Sequence, residues 1–232
     1  MSAVLSPEDF VRELSQRIQE RRTFGGHPLW LAIAAGRLRR EQLQVFAVQF
    51  FLQVREFPRG ISAMHANCPF PKERIALAES IYEEDTGRIS GCNLPHPEVF
   101  IRFGEALGLP REAMVDGKPL PATRALIDWF ELATKQRSFI EAAAAMNLAA
   151  EGQVPGAFGP MARQLEEHYG LSREAVEFWD LHEHADAEHS EVGDNIVVRH
   201  ATDAATQARV RDALQHSLDA WWQFFDGIQA AI

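Results

Sequence analysis

The chain has 232 residues, of which 46% are hydrophobic and 24% charged, the composition of a soluble globular domain able to bury a sizeable core. The formal net charge of -10 argues against a nucleic acid or an anionic membrane as partner, and no stretch approaches the roughly 20 apolar residues that span a bilayer. Cys68 and Cys92 are too few for a disulfide scaffold and the N-terminus has no secretory signal, so we expect a cytoplasmic protein.

Helical periodicity begins at "SPEDFVRELSQRIQERR", where Ser6 is a candidate N-cap and Phe10, Leu14 and Ile18 share one face. The segment "REQLQVFAVQFFLQVREF" repeats the pattern, and Pro58 is expected to kink or end it. The next predicted helix, "KERIALAESIYEED", runs up to a glycine and is followed by the loop "GRISGCNLP", a candidate lid.

The second half of the chain continues in the same way. Helices are predicted for "HPEVFIRFGEALG", for the whole of "TRALIDWFELATKQRSFIEAAAAMNLAAEG", for "REAVEFWDLHEHADAEHSEVGDNIVV" directly after the cap Ser172, and for "DAATQARVRDALQHSLDAWWQFFDGI". No segment alternates with a period of two, and no linker divides the chain. The sequence therefore predicts one all-α domain over residues 1–232.

Residues 182–189, "HEHADAEH", concentrate three histidines and three acids on one predicted helix. At 100° per residue, His182, Asp186 and His189 fall within about 60° of arc, while His184 points to nearly the opposite side. Charged side chains on a face that looks into a bundle need a partner, and two imidazoles with a carboxylate suit iron or manganese. A solvated polar helix face is the alternative that this stretch alone leaves open.

Other helices carry candidate partners for such a site. Glu151 closes the alanine-rich face of "FIEAAAAMNLAAE", and Glu84 continues an apolar stripe from which Glu83 lies about 100° away. His96 opens the helix "HPEVFIRF". The alternatives are a solvated helix end for each acid and a helix-capping or surface role for His96.

The segments "SIYEEDTG", "HPEVFIRFGEALG", "EGQVP" and "FWDLHEHADAEHSE", in this order, resemble the haem-oxygenase-like diiron oxidases and oxygenases, in particular the 4-aminobenzoate synthase branch. The resemblance covers nearly the whole chain and implies a haem-oxygenase-like helical bundle of about seven to nine helices. Pyrroloquinoline-quinone synthases and thiaminase-like proteins share this fold. By position, the family's ligands for two iron ions, or for a manganese–iron pair, fall on six residues: Glu84, His96, Glu151, His182, Asp186 and His189.

The sequence departs from the 4-aminobenzoate synthase pattern at several positions. Trp30 stands where those enzymes have a self-sacrificed tyrosine, Met161 stands where they have a lysine, and Phe50–Phe51 replaces a tyrosine pair. The gap between Glu84 and His96 is also longer than usual. These differences argue against synthesis of 4-aminobenzoate from a side chain of the protein itself.

The resemblance implies an oxygen-dependent oxidase or oxygenase that acts on a small amine or amino-acid-like metabolite in biosynthesis, by N-oxygenation or oxidative C–C cleavage. Ala142 to Ala145 are expected to leave a cavity beside the metals, with Phe46, Phe50 and Trp30 as candidate walls. Core packing is the alternative for these aromatic residues. Arg163 and Arg199 are candidates to hold a substrate carboxylate, with a surface ion pair as the alternative for each.

Two other hypotheses remain open at this stage. One is a cofactorless, quinone-synthase-like oxidase whose histidines handle protons. The other is a non-enzymatic helical protein that binds a partner, and the aromatic segment "WWQFFDG" supports it because adjacent aromatics cannot all face one side of a helix. The same segment predicts a homodimer interface.

Overall fold

The computed structural model describes residues 4–232, except for the side chains of residues 184–191. Twelve α-helices and no strand lie in this range, so the prediction of an all-α fold is confirmed, whereas the predicted number of seven to nine helices was too low. In chain order they are α1 (Pro7–Glu20), α2 (Pro28–Ala34), α3 (Arg40–Val54), α4 (Phe57–Asn67), α5 (Pro71–Thr86), α6 (His96–Ala106), α7 (Arg111–Val115), α8 (Pro121–Gln136), α9 (Phe139–Ala143), α10 (Phe158–Tyr169), α11 (Glu177–His200) and α12 (Ala204–Ala231).

Several helix ends lie where the sequence predicts them. The Ser6 hydroxyl caps α1 by accepting a hydrogen bond from the Asp9 amide, and Phe10, Leu14 and Ile18 form the buried face. Helix α3 ends at Val54, and the predicted proline stands in the first turn of α4, where its missing N–H is tolerated. Helix α5 ends at a left-handed glycine, as its sequence indicates.

The long helix predicted over residues 123–152 was wrong. Helix α8 ends at Gln136, and Ser138 begins α9 with a capping box in which the Glu141 carboxylate accepts from the Ser138 amide. A π-helical turn (Ala144–Leu148) and a 3-10 turn (Glu151–Gln153) follow α9. The Ser-x-x-Glu pattern predicts a helix start at this point. The high helix propensity of the alanine-rich segment favoured one continuous helix instead.

The start of α11 also differs from the prediction. The chain forms turns after Ser172, whose hydroxyl accepts from the Ala175 amide, and the α-helix begins only at Glu177. From there α11 packs against α5, α6, α10 and the π-helical turn. The helices that carry the candidate metal ligands are therefore neighbours in the bundle.

The aromatic segment at the C-terminus packs within the chain. Trp221, Phe224 and Phe225 are at most 2% exposed, and the Trp222 ring lies 4.7 Å from the His27 ring and 4.3 Å from the Arg21 guanidinium carbon. This packing buries more than one face of α12 without a second chain. The homodimer thereby loses its main support and stays a prediction.

The length and hydropathy of a helix determine whether it can cross a membrane. Within the described part of the chain, no helix is both long enough and apolar enough to cross a bilayer.

Candidate metal centre

Three buried side chains from three helices meet inside the bundle. Glu84 comes from the last turn of α5, His96 from the first position of α6, and His182 from α11, and one ligand atom from each lies within 4.8 Å of the other two. Oε1 of Glu84 is 3.1 Å from Nδ1 of His96 and 4.0 Å from Nε2 of His182. These residues are at most 7% exposed, so the solvated alternatives for Glu84 and His96 do not hold.

The orientation of His182 is fixed by its own helix. Its Nδ1 lies 2.7 Å from the backbone carbonyl of Phe178, one turn earlier, and a carbonyl oxygen can only accept. Nδ1 therefore carries the proton, and in the neutral ring Nε2 directs a lone pair towards Glu84 and His96. A hydrogen bond on the far nitrogen is the usual way in which proteins prepare a metal-binding imidazole.

His96 is held in the same manner by Glu83. Its Nε2 lies 3.2 Å from Oε1 of Glu83, so the ring donates outwards and Nδ1 faces Glu84. The Nδ1–Oε1 separation of 3.1 Å to Glu84 is not aligned for a hydrogen bond, and Nδ1 has no other partner among the described residues. Burial lowers the pKa of His96, but the negative charges of Glu84 and Glu83 outweigh it and hold the pKa above its ordinary value.

Glu83 is fixed by the loop that follows α5. Its carboxylate accepts the backbone N–H groups of Ile89, at 2.7 Å, and Ser90, at 3.2 Å. Burial raises the pKa of Glu83, but the hydrogen bonds from Ser90, Ile89 and His96 outweigh it and hold the pKa below its ordinary value. The two adjacent acids therefore have different contacts. Glu84 faces both imidazoles, whereas Glu83 accepts a hydrogen bond from the outer nitrogen of His96. The loop predicted as a lid is therefore held by hydrogen bonds from its backbone to the Glu83 carboxylate.

Glu151 lies on the wall of the same cavity as Glu84 and His182, outside the group of three. It is 4% exposed, and the Asn147 amide, one helical turn earlier, donates to its Oε2 at 2.8 Å. The π-helical turn that contains Asn147 widens the backbone at this point, a distortion frequent at functional sites. The predicted ligands Asp186 and His189 lie outside the described residues.

A cavity adjoins these carboxylates and His182, and its wall is mainly apolar. The expected wall residue Phe50 belongs to it, whereas Ala142 to Ala145, Phe46 and Trp30 are buried in the core without lining this cavity. The lining residues are Phe24, Phe50, Gln53, Val54, Phe57, Glu84, Ala150, Glu151, Val154, Phe158, Phe178, His182 and Trp221.

A second cavity opens towards the surface between α3, α4 and α8. It shares Gln53 and Phe57 with the first cavity, so these two side chains separate the cavities. Its outer part carries charged side chains of both signs, including Arg59 and Lys135, and each of these cations pairs with a neighbouring glutamate. Neither Arg163 nor Arg199 lines either cavity, and Arg199 instead pairs with Glu73 at 2.8 Å.

Gln53 is the polar side chain of the cavity wall that sequence reasoning missed. It is 5% exposed, and no described residue hydrogen-bonds its amide. Gln49, one turn earlier and equally buried, accepts from the Leu120 amide and the Thr123 hydroxyl and donates to a carbonyl. The indole N–H of Trp221 also has no hydrogen-bond partner in the described part of the chain. The only signal in the sequence is a glutamine within the apolar run "FFLQV".

The residues that replace the family's tyrosines and lysine are part of the core. Trp30 is 3% exposed and Met161 is 1% exposed. The two tyrosines of the chain lie away from the cavity lining: Tyr82 is 46% exposed, and the Tyr169 hydroxyl accepts from the Leu38 amide. No tyrosine side chain is therefore positioned beside the three buried donors.

Comparison with known proteins identifies related sequences. The sequence model of a family described as iron-containing redox enzymes matches residues 44–222. A 4-aminobenzoate synthase of Nitrosomonas europaea is 29% identical over 234 residues, which cover 97% of this chain and 92% of that protein. A pyrroloquinoline-quinone synthase of Cronobacter sakazakii is 25% identical over 237 residues, which cover 98% of this chain and 89% of that protein.

Solved structures show the same fold. A protein of Pseudomonas syringae described as a TenA homologue superposes with a TM-score of 0.80 at 16% identity, covering 99% of this chain and 98% of that one. A protein of Shewanella denitrificans with a haem-oxygenase-like fold superposes with a TM-score of 0.76 at 14% identity, covering 99% and 94%. The predicted haem-oxygenase-like bundle is therefore confirmed.

Proposed function

Because the chain belongs to the family of iron-containing redox enzymes, we propose that it is a non-haem diiron oxidase or oxygenase, with dioxygen and a small amine or amino-acid-like metabolite as substrates. The observation that carries the proposal is the convergence of Glu84, His96 and His182, with both rings turned towards the same point. Membership of an enzyme family removes the support for a non-enzymatic partner-binding protein.

The chemical types of these donor groups are suitable for binding iron. A carboxylate and two imidazoles are the nitrogen and oxygen donors that suit iron and manganese, and both imidazoles have their far nitrogen engaged by an acceptor. Nδ1 of His96 and Oε1 of Glu84 are 3.1 Å apart, a separation close to that of two ligands of one ion. The proposed set for two iron ions, or a manganese–iron pair, is Glu84, His96, Glu151, His182, Asp186 and His189.

Bound iron would supply dioxygen activation and one-electron redox steps. The chain itself supplies orientation and exclusion of water. Glu83 keeps the proton of His96 on Nε2, the Phe178 carbonyl keeps the proton of His182 on Nδ1, and the Asn147 amide holds one oxygen of Glu151. The aromatic wall of the cavity keeps the reacting region dry, which strengthens these polar interactions.

The cavity also supports a position for the substrate. The described residues that line it include no lysine or arginine, so a substrate carboxylate would find no cation among them. The Trp221 indole N–H is buried without a partner among the described residues, and the Gln53 side chain lines the same cavity, so these two groups would bind a neutral polar group of the substrate. The apolar body of the substrate would then lie against Phe50 and Phe158.

The substrate would come from outside the chain. The relatives include 4-aminobenzoate synthases, but Trp30 stands where the resemblance places the consumed tyrosine, and neither Tyr82 nor Tyr169 lines the cavity. Exchange of both tyrosines for phenylalanine is therefore expected to leave product formation unchanged. Loss of product in either Tyr82→Phe or Tyr169→Phe would instead point to consumption of the protein's own side chain.

Ferrous iron is added anaerobically to the metal-stripped protein, the bound iron is counted, and the optical spectrum is followed as oxygen is admitted. We expect two irons per chain and a transient visible band. Glu84→Gln should lose iron, whereas Glu79→Gln, an exposed acid on the same helix, should not. If the unmodified chain bound no iron, the diiron mechanism would be abandoned.

A cofactorless oxidase is the second candidate, and the pyrroloquinoline-quinone synthases among the relatives favour it. In that case His96 and His182 would transfer protons to and from the substrate. The two candidates differ in the iron titration, since a cofactorless enzyme consumes oxygen with its substrate after complete removal of metal.

A further inference from the structure

We propose that Glu83, Cys92 and Nε2 of His96 form a second metal site, which takes a thiophilic divalent cation such as Zn²⁺. One ligand atom from each of these residues lies within 4.8 Å of the other two. The site is on the outer side of the imidazole whose inner nitrogen faces Glu84. It does not depend on the proposed iron site, although the two share a ring.

One pair of the three ligand atoms has nearly the spacing of two ligands on one ion. The Glu83 Oε1 and His96 Nε2 atoms are 3.2 Å apart, and ligands of a tetrahedral zinc ion are about 3.3 to 3.8 Å apart for bond lengths of about 2.0 to 2.3 Å. Carboxylate, imidazole and thiolate are all ordinary zinc ligands. Water would complete the coordination, because Cys92 is half-buried and the loop adjoins the solvent.

The loop between α5 and α6 is built to bring the sulfur to this position. Gly87 ends α5 in the left-handed conformation, with φ of 58°, and a Cβ at Gly87 would clash with Sγ of Cys92 and with the Leu94 carbonyl. The thiol of Cys92 donates to that carbonyl at 3.3 Å. The left-handed glycine and the hydrogen bond of the thiol therefore fix Cys92 beside the end of α5.

The other cysteine, Cys68, is an example of a purely structural thiol in the same protein. Cys68 is 3% exposed, donates to the Phe70 carbonyl and belongs to no group of potential metal ligands in the described part of the chain. Burial raises the pKa of the Cys68 thiol, which disfavours the thiolate that a metal requires. Cys68 is therefore a natural control for Cys92.

Sharing of His96 makes the two sites compete. A neutral imidazole has one nitrogen with a free lone pair. A metal ion at Nδ1 requires the proton on Nε2, where it is hydrogen-bonded to Glu83. A metal ion at Nε2 requires the proton on Nδ1. When the outer cation binds, the Cys92 thiol proton goes to solvent and the ring proton moves from Nε2 to Nδ1, facing Glu84. This competition, unlike the outer site itself, rests on the proposed iron site.

Cadmium is the probe, because its bond to a thiolate absorbs in the ultraviolet. Cd²⁺ is titrated into the reduced, metal-stripped full chain, and we expect one equivalent to produce the thiolate band. Cys92→Ser should abolish the band and Cys68→Ser should retain it, with circular dichroism showing that both variants are folded. Absence of the band in the unmodified chain, or its persistence in folded Cys92→Ser, overturns the proposal.

Two further measurements separate this site from the proposed function. Glu84→Gln should lose iron and keep the cadmium band, so failure of iron binding leaves the outer site intact. Glu83→Gln should weaken cadmium binding at least tenfold. In the unmodified chain, preloaded Cd²⁺ should reduce the iron bound per chain, and Cys92→Ser should take up iron equally with and without Cd²⁺. A cadmium band that forms without any change in iron binding would overturn the competition.

Discussion

The Nε2–H group of His96 donates to Oε1 of Glu83 across 3.2 Å, and this bond turns the opposite ring nitrogen towards Glu84 and His182. Glu83 is itself held by two backbone N–H groups of the following loop. A loop outside the cavity thus determines the orientation of a buried ring.

Glu83→Ala is expected to weaken iron binding about 10- to 100-fold, because a partner behind a metal-binding imidazole has effects of this size. Iron affinity from a competitive chelator titration measures the effect. Exposed Glu79, on the same helix, provides the control Glu79→Ala, which should bind iron as the unmodified chain does. Equal affinities for all three proteins would show that Glu83 has no positioning role.

Asn147→Ala is expected to reduce both stability and iron content, because it removes the amide that donates to Glu151 in a fully buried setting. The loss of stability should be about 1–3 kcal/mol in the metal-free protein. Asn67→Ala is the control, since its amide also donates a hydrogen bond, to the backbone carbonyl of Thr134, but Asn67 is exposed and lines neither cavity. Chemical denaturation and iron analysis should separate the variants: only Asn147→Ala should lose iron.

Gln53→Leu and Gln49→Leu make a pair on one helix. Both side chains are 5% exposed, but only Gln49 has hydrogen-bond partners among the described residues. Gln49→Leu should lower the free energy of unfolding by about 1–3 kcal/mol, whereas Gln53→Leu should leave it unchanged or raise it. Turnover should fall in Gln53→Leu. An equal loss of stability in both variants would mean that Gln53 is a structural residue.

The ion pair of Glu73 with Arg199 and His200 predicts a contribution to acid stability. Burial raises the pKa of Glu73, but the hydrogen bonds from Arg199 and His200 outweigh it, so its folded pKa lies below the ordinary value of 4.5. A lowered folded pKa stabilises the protein above pH 4.5, and the contribution disappears as the pH falls through the folded pKa. Glu73→Gln should therefore be less stable by about 1–2 kcal/mol at pH 7.

The difference between Glu73→Gln and the unmodified chain should shrink steadily as denaturation is repeated at lower pH. Glu79→Gln, which is exposed, should show no such pH-dependent difference. A stability difference that stays constant from pH 7 to pH 3 would contradict a lowered pKa of Glu73 in the folded protein.

The sequence was sufficient for the helical class and for the placement of Glu84, because helical periodicity records which residues share a face. The structure also brings the predicted residues His96 and His182 into one buried cluster with Glu84. The metal-binding role of all six predicted ligands remains a prediction. The positions of these side chains depend on local geometry that each helix fixes by itself.

Other features depend on contacts that one chain segment does not reveal. The acid Glu83 is indistinguishable from a solvated helix end until the loop residues Ile89 and Ser90 fold back onto it. The break at Ser138 was readable from its capping box, but alanine-rich propensity favoured one long helix. The buried amide of Gln53 becomes notable only when its lack of partners in the described structure is known.

The donors of the buried cluster lie far apart along the chain, at Glu84, His96 and His182, and only the bundle brings them together. An unfolded chain offers no such site, so the free energy of metal binding is also free energy of folding. At a free iron concentration 100 times the dissociation constant, this linkage adds about 2.7 kcal/mol. Iron supply would then govern how long the protein survives proteolysis, as well as how fast it turns over.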